Sequence, residues 1–180
     1  MKNITEYSDC RKCSECCKFR KDEIYFAPVF ANEEFDKLGS DSEKVFFEQR
    51  GTAKQVRLAK LNDEFYVCPF YNSEKELCSI YQKRPFDCRI YPFLVAKKNG
   101  KIYLTAFRDA CPSLEKKSED EIVNYAENLK NWLQEEKQLR FFERNPDVIW
   151  PVDDDQTIVC ELDKLSEAMS KTTIQRMVKL

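Results

Sequence analysis

Nine cysteines and no histidine set the chemistry open to this 180-residue chain. Four cysteines form the run Cys10-Arg-Lys-Cys13-Ser-Glu-Cys16-Cys17. Four more follow as Cys68-Pro69, Cys78, Cys88 and Cys111-Pro112, while Cys160 stands alone. Thiolates separated by two residues bind soft metal ions or iron–sulfur clusters, because one turn of chain presents both sulfurs to a common point. The missing histidine excludes imidazole bases and mixed Cys/His zinc sites. Gly39, Gly51 and Gly100 are the only glycines, so no glycine-rich phosphate loop can be written.

Cys10, Cys13 and Cys16 have the spacing of a run that wraps one metal centre, and a ferredoxin-type run adds a Cys-Pro ligand to such spacings. Here the Cys-Pro pairs lie far along the chain, at Cys68 and Cys111. Cys17 departs from the pattern. Adjacent side chains usually point apart, so Cys16 and Cys17 are expected to serve different centres, or only one of them is a ligand. Eight thiols allow two sites of four, or one cluster with spare thiols. The clustered run with Cys-Pro ligands points to iron–sulfur ahead of zinc or iron ions. Free cysteine also packs as a small hydrophobe, which suits Cys160 between Val159 and Glu161. The other eight are flanked mostly by Arg, Lys, Ser, Glu and Pro, which are not core residues.

Arg84 and Arg89 bracket Cys88, and both are expected to support the centre from outside its ligand shell. Arg11, Lys12, Lys18, Arg20 and Lys21 surround the first run, where cations stabilise thiolate. Tyr81, Phe86, Tyr91 and Phe93 are expected to pack over the metal and exclude water. Asp153-Asp154-Asp155 lacks the glycine and glutamate of a calcium loop and reads as a solvated turn or helix start.

With these residues in view, the chain resembles the YkgJ-type cysteine-cluster family, a zinc- or iron-chelating domain. The Cys10-x2-Cys13-x2-Cys16-Cys17 block carries the resemblance. So does Cys78-Ser-Ile-Tyr81-Gln-Lys-Arg84-Pro85-Phe-Asp-Cys88-Arg89-Ile-Tyr91-Pro92-Phe93, with Cys68-Pro69 and Cys111-Pro112 fitting the same layout. The resemblance covers residues 10–112. It implies metal chelation by Cys10, Cys13, Cys16, Cys17, Cys68, Cys78, Cys88 and Cys111. A flagellin lysine N-methylase is similar in having such a cysteine set, which suggests methyl transfer or redox chemistry by analogy alone.

The rest of the chain must position these groups. A composition of 42% hydrophobic and 34% charged residues can bury a core, and a formal net charge of -2 gives no field for nucleic acid. The first residues lack the apolar stretch of a signal peptide, and no run reaches membrane-helix length. A cytosolic location without membrane or nucleic-acid partners follows as the expectation. Reduced thiols suit that compartment.

A strand is expected over Asp22–Pro28. Asn32 is expected to cap a helix over Glu33–Leu38. A Ser40/Glu43 capping box opens a second helix, with Val45, Phe46 and Phe47 in its body and Gly51 at its stop. Gln55–Leu61 and Phe65–Val67 read as strands, and 68–93 as turns. Asn99-Gly100 joins two strand-like runs and signals a hairpin. A long helix starts at the Ser118/Glu121 capping box, runs through Trp132 to Phe142 and ends at Asn145-Pro146. Leu165, Ala168, Met169 and Thr172 suggest one more.

The expected fold is α+β: a small, loop-rich, metal-organised domain with short helices, an Asn-Gly hairpin and a long C-terminal helix. Residues 1–146 form the metal-binding domain and 147–180 an acidic extension. The functional classes left open are a metal-binding protein with a redox role, a protein-modifying enzyme, and a zinc-templated module for a protein partner.

Overall fold

A computed structural model describes residues 4, 13–39, 46–107 and 111–178, with side chains described as far as Thr172. Cys10 lies outside the described residues, as does the Ser40/Glu43 capping box. The fold is α+β. In chain order its strands and helices are β1 (Lys18–Arg20), β2 (Val29–Ala31), α1 (Asn32–Phe35), β3 (Phe47–Arg50), β4 (Ala53–Val56), β5 (Ala59–Lys60) and β6 (Phe65–Val67). Then come β7 (Tyr71–Asn72), β8 (Leu77–Cys78), α2 (Phe86–Ile90), β9 (Phe93–Lys98), β10 (Lys101–Ala106), α3 (Glu119–Leu133) and α4 (Glu136–Arg144). The chain closes with β11 (Trp150–Pro151), β12 (Thr157–Glu161) and α5 (Asp163–Val178).

The largest sheet has the order β11-β9-β10-β12. Its centre is the β9–β10 hairpin, paired from Phe93↔Ala106 to Lys98↔Lys101. Asn99 and Gly100 make the turn with φ of 51° and 82°, the doubly positive φ of a type I′ hairpin. Residues 150–161 supply both edge strands, β11 parallel to β9 and β12 antiparallel to β10. Ile102 and Leu104 are fully buried, and with Phe93 they meet the apolar stripe Ala126, Leu129 and Leu133 of α3 in one core. The side-chain hydroxyl of Ser118 accepts from the Glu121 N–H at 3.2 Å while Glu121 Oε2 accepts from the Ser118 N–H at 2.9 Å, as the capping box requires.

Three small sheets carry the remaining strands: β1-β6-β5, β2-β4-β3 and the β7-β8 hairpin. A second core of Phe19, Phe30, Leu38, Val56, Phe70 and Ile80 lies between them. Cys68 belongs to it. Cys17 and Cys78 pack against this second core, whereas Cys160 lies on β12 of the largest sheet.

The structure changes several local expectations. Asn32 is the first residue of α1, behind Ala31, rather than its cap, and Gln55–Leu61 is divided between β4 and β5. Ile24–Phe26 is a 3-10 turn and the strand begins later, at Val29, where all three residues are buried. Phe47–Arg50 is a strand rather than a helix body, because it pairs with β4 from Phe47↔Val56 to Arg50↔Ala53. Gly51 stands at the turn between them with φ of 53°, so it is a hairpin glycine and not a helix stop. The long helix after Ser118 is two helices. The break falls at Gln134-Glu135, where Gln134 Oε1 accepts the Lys164 N–H at 2.9 Å and so ties the junction to α5. The break re-aims α4, so that Phe142 packs edge-on against Phe86 at 5.2 Å.

Phe86 opens the short helix that carries Cys88, so the aromatic contact links the main core to the cysteine region. Phe142 is fully buried. Phe142→Ala should cost about 3–5 kcal/mol through lost burial and the cavity left behind. Urea denaturation of the metal-free protein measures it.

Candidate metal centre

Strand pairing, not sequence proximity, assembles the cysteines. Glu15–Cys17 forms a 3-10 turn that runs directly into β1. Lys18 pairs with Val67, and the Cys68 N–H donates to the Cys17 carbonyl at 2.8 Å. The first run is thereby fixed beside Cys68. The Cys68 carbonyl accepts the Tyr71 N–H at 2.9 Å, and Tyr71 pairs with Cys78 across the β7–β8 hairpin. Pro85 then caps α2, which delivers Cys88.

Cys13, Cys16, Cys17, Cys68, Cys78 and Cys88 line one cavity of about 40 Å³, together with residues such as Phe30, Val56, Phe70 and Ile80. Cys16 is the hub. Its charge would be felt by the thiols of Cys68, Cys78, Cys88 and Cys111. Cys111 is buried but is not among the cavity-lining residues. Cys16 and Cys17 are brought to one place in the fold. Their thiols hydrogen-bond to each other and both line the cavity. Cys160 lies on β12 opposite Leu104, half-buried against the main core and away from the cavity.

Five of the thiols, Cys16, Cys68, Cys78, Cys88 and Cys111, are shifted upward, toward the neutral form. The hydrogen bond to Cys17 pushes Cys16 well above the usual thiol range, and burial adds to it. Burial pushes Cys68 up to about 12 and raises Cys78, Cys88 and Cys111. Opposing this, backbone N–H groups two residues downstream donate to sulfur: Phe70 to Cys68, Ile80 to Cys78 and Ser113 to Cys111. These bonds favour the ionised sulfur that a metal requires. Among the described residues, no three Cys, Asp or Glu side chains are yet in place to hold an ion. The donor set fits a soft metal nevertheless: sulfur throughout, several sulfurs on one small cavity, and amides aimed at three of the eight.

Arg84 and Arg89 diverge. Arg84 donates from Nε to the Tyr81 carbonyl at 3.1 Å and from Nη1 to the Cys88 carbonyl at 3.4 Å, and its guanidinium stacks on the Tyr81 ring at 3.7 Å. Its charge lowers the cost of ionising Cys16 and Cys78. Arg89 points to α1 and pairs with Glu34 at 2.9 Å. Of the four aromatic residues expected over the metal, Tyr81 lines the cavity, Tyr91 sits in the field of Cys16, Cys111 and Cys13, and Phe86 and Phe93 belong to the main core.

The sequence reading missed Asp87. It is buried, accepts N–H bonds from Val29 and Cys88 at 3.1 Å each, and so staples α2 to β2. Burial pushes its carboxyl up to about 7. The only sequence signal was a charged residue beside a cysteine.

An α+β domain whose hairpins and one short helix gather sulfur donors around a small cavity is a cysteine-cluster protein. Its chain belongs to the CxxCxxCC family, described as "Putative zinc- or iron-chelating domain", whose model matches residues 9–112. It is also 30% identical over 135 residues to an uncharacterized protein of Methanocaldococcus jannaschii, with 69% of each chain covered. No solved structure matches the chain. Among the described residues no helix is long and apolar enough to cross a membrane.

Metal must displace protons from these thiols, so binding should strengthen as pH rises from 6 to 9. Arg84→Gln removes a charge that favours thiolate at Cys16 and Cys78. It should weaken zinc binding by about 10–100-fold, the usual scale for such supporting residues. It should also move the pH of half-loading upward. Competition with a chromogenic chelator across the pH series reads both effects.

Proposed function

We propose that this protein holds a metal centre through Cys16, Cys68, Cys78 and Cys88, extended by Cys13, Cys17 and Cys111 and by Cys10 of the first run. The observation that carries this reading is the convergence of six cysteines, from the first run, the β6–β7 turn, β8 and α2, on one cavity. The first group and the second therefore share their metal.

An iron–sulfur cluster is the finer reading, ahead of zinc, and would supply one-electron transfer when bound. More than four thiols around one place, and a tight run joined to Cys-Pro donors, support a cluster over a single tetrahedral zinc. What the chain itself does is defined by its residues. Phe30, Phe70 and Ile80 keep water from the sulfurs, the amides of Phe70 and Ile80 stabilise thiolate, and Arg84 offsets the negative charge that thiolates bring. A centre with this many free thiols belongs in a reducing compartment, and we place the protein in the cytosol.

Protein purified without oxygen should contain iron and inorganic sulfide and absorb in the visible. A colourless protein with stoichiometric zinc would leave chelation standing and end the cluster reading. Cys16→Ser and Cys88→Ser should each lose most of the bound metal, whereas Cys160→Ser should keep all of it. Elemental analysis of the three variants decides this, and full loading of Cys16→Ser would overturn the shared centre.

A further inference from the structure

A chamber of about 780 Å³ lies next to the 40 Å³ cavity, and Cys16, Pro28 and Cys88 line both. Cys16 and Cys88 are partly exposed, whereas Cys68, which lines the cavity alone, is buried. Two cysteines therefore stand in the partition between a small space rich in thiols and a much larger one.

Size decides what each space admits. A water takes about 10–15 Å³ of such cavity volume, so the cavity of about 40 Å³ holds about three. A hydrated divalent ion of octahedral geometry brings about six waters, and one carried by an organic chelator is larger still. Neither fits the cavity whole. The ligands that bring the ion must be shed where a cysteine faces a wider space. The chamber has the volume of small-molecule sites and takes either form.

The opposite side of the cavity, where half-buried Tyr71 and Leu77 line it, suits a cation less well. Tyr81 and Arg84 line the cavity and not the chamber, and the guanidinium stacks on the Tyr81 ring at 3.7 Å. Its charge acts on Cys78 as well as on Cys16, so a cation approaching past Cys78 meets like charge. The chamber wall sets no such barrier, because Glu15, Glu23 and Asp155 outnumber Lys18 and Arg20.

We infer that Cys16 and Cys88 receive metal in this chamber, from water or from a small-molecule carrier, and pass it to the thiols of the inner cavity, and that release follows the same route in reverse. The inference rests on the shared metal centre and adds the way into it. In each exchange a bond from the ion to water or carrier breaks and a bond to sulfur forms. The thiol proton goes to solvent or to the departing ligand, and no oxidation state changes.

Cobalt(II) is a suitable probe, because its sulfur charge-transfer absorption follows occupancy directly. Protein loaded with cobalt(II) without oxygen should lose that band to free EDTA at a rate that rises with EDTA concentration. EDTA coupled to a large dextran, at equal chelator concentration, should act at least tenfold more slowly. Thr157→Trp and Asp155→Trp narrow the chamber from positions distant in sequence from the clustered cysteines. Each should slow both loading and removal at least fivefold and leave the equilibrium affinity within twofold. Leu77→Trp, on the opposite side, should leave both rates within twofold. Removal independent of EDTA concentration overturns the route. So do equal rates with free and dextran-coupled EDTA, or a slowing by Leu77→Trp that both chamber variants lack. The band also separates the two readings. No sulfur–cobalt band at any loading sinks the metal centre, whereas a full band with unchanged rates in both chamber variants sinks the route alone.

Discussion

Several thiols cannot ionise together in a buried place unless something supplies positive charge. Desolvation penalises each thiolate, and every neighbouring thiolate adds repulsion. In this protein burial raises Cys68, Cys78 and Cys88, and the hydrogen bond with Cys17, then burial, raises Cys16, although the amides of Phe70 and Ile80 and the guanidinium of Arg84 favour the ionised state. The chain provides part of the compensation and leaves the rest for a metal. That imbalance explains why the cysteine half can make do with short strands and a five-residue helix. Its covalent order is low until sulfur–metal bonds cross-link it.

The other half supplies rigidity that needs no metal. The β9–β10 hairpin, flanked by β11 and β12 and covered by α3, buries a continuous apolar core. Two contacts transmit that rigidity to the cysteines. Phe86 is packed by Phe142 and stacked on Trp132 at 6.0 Å, which fixes the start of α2. Asp87 ties the same helix to β2 through the Val29 amide. Cys88 is therefore positioned by the main core, while Cys16, Cys17 and Cys68 are positioned by β1–β6 pairing. The cavity lies where these two frames meet, so it senses the packing of both.

Much of the main half was legible in the chain. Asn99-Gly100 needs positive φ at both positions, and few other dipeptides satisfy that, so the hairpin follows from two residues. Ser118 and Glu121 likewise mark a helix start by their own hydrogen bonds. The errors came where local pattern competes with pairing. Phe46, Phe47 and Gly51 suit the body and end of a helix, yet β4 offers Phe47 a partner strand, and burial against Phe30 and Phe70 outweighs weak helix propensity. The stripe from Ile122 to Phe142 keeps helical spacing across Gln134, so the break was invisible until α5 provided the Lys164 amide.

By itself, the sequence determined the chemistry of the site. Eight clustered cysteines without histidine make sulfur the donor, because side-chain type alone decides which metals bind. It also separated Cys160 from the rest by distance and neighbours. Only the tertiary structure decided which sulfurs meet. Cys16 and Cys17 line the same cavity from one 3-10 turn, Cys68 and Cys78 arrive by strand pairing, and Arg84 and Arg89 part company because Arg84 precedes α2 and folds over Tyr81 while Arg89, on α2, meets Glu34. Those outcomes depend on backbone hydrogen bonds between segments some 50 residues apart, as between Cys17 and Cys68. The spacing of residues along a chain carries no record of such long-range pairs.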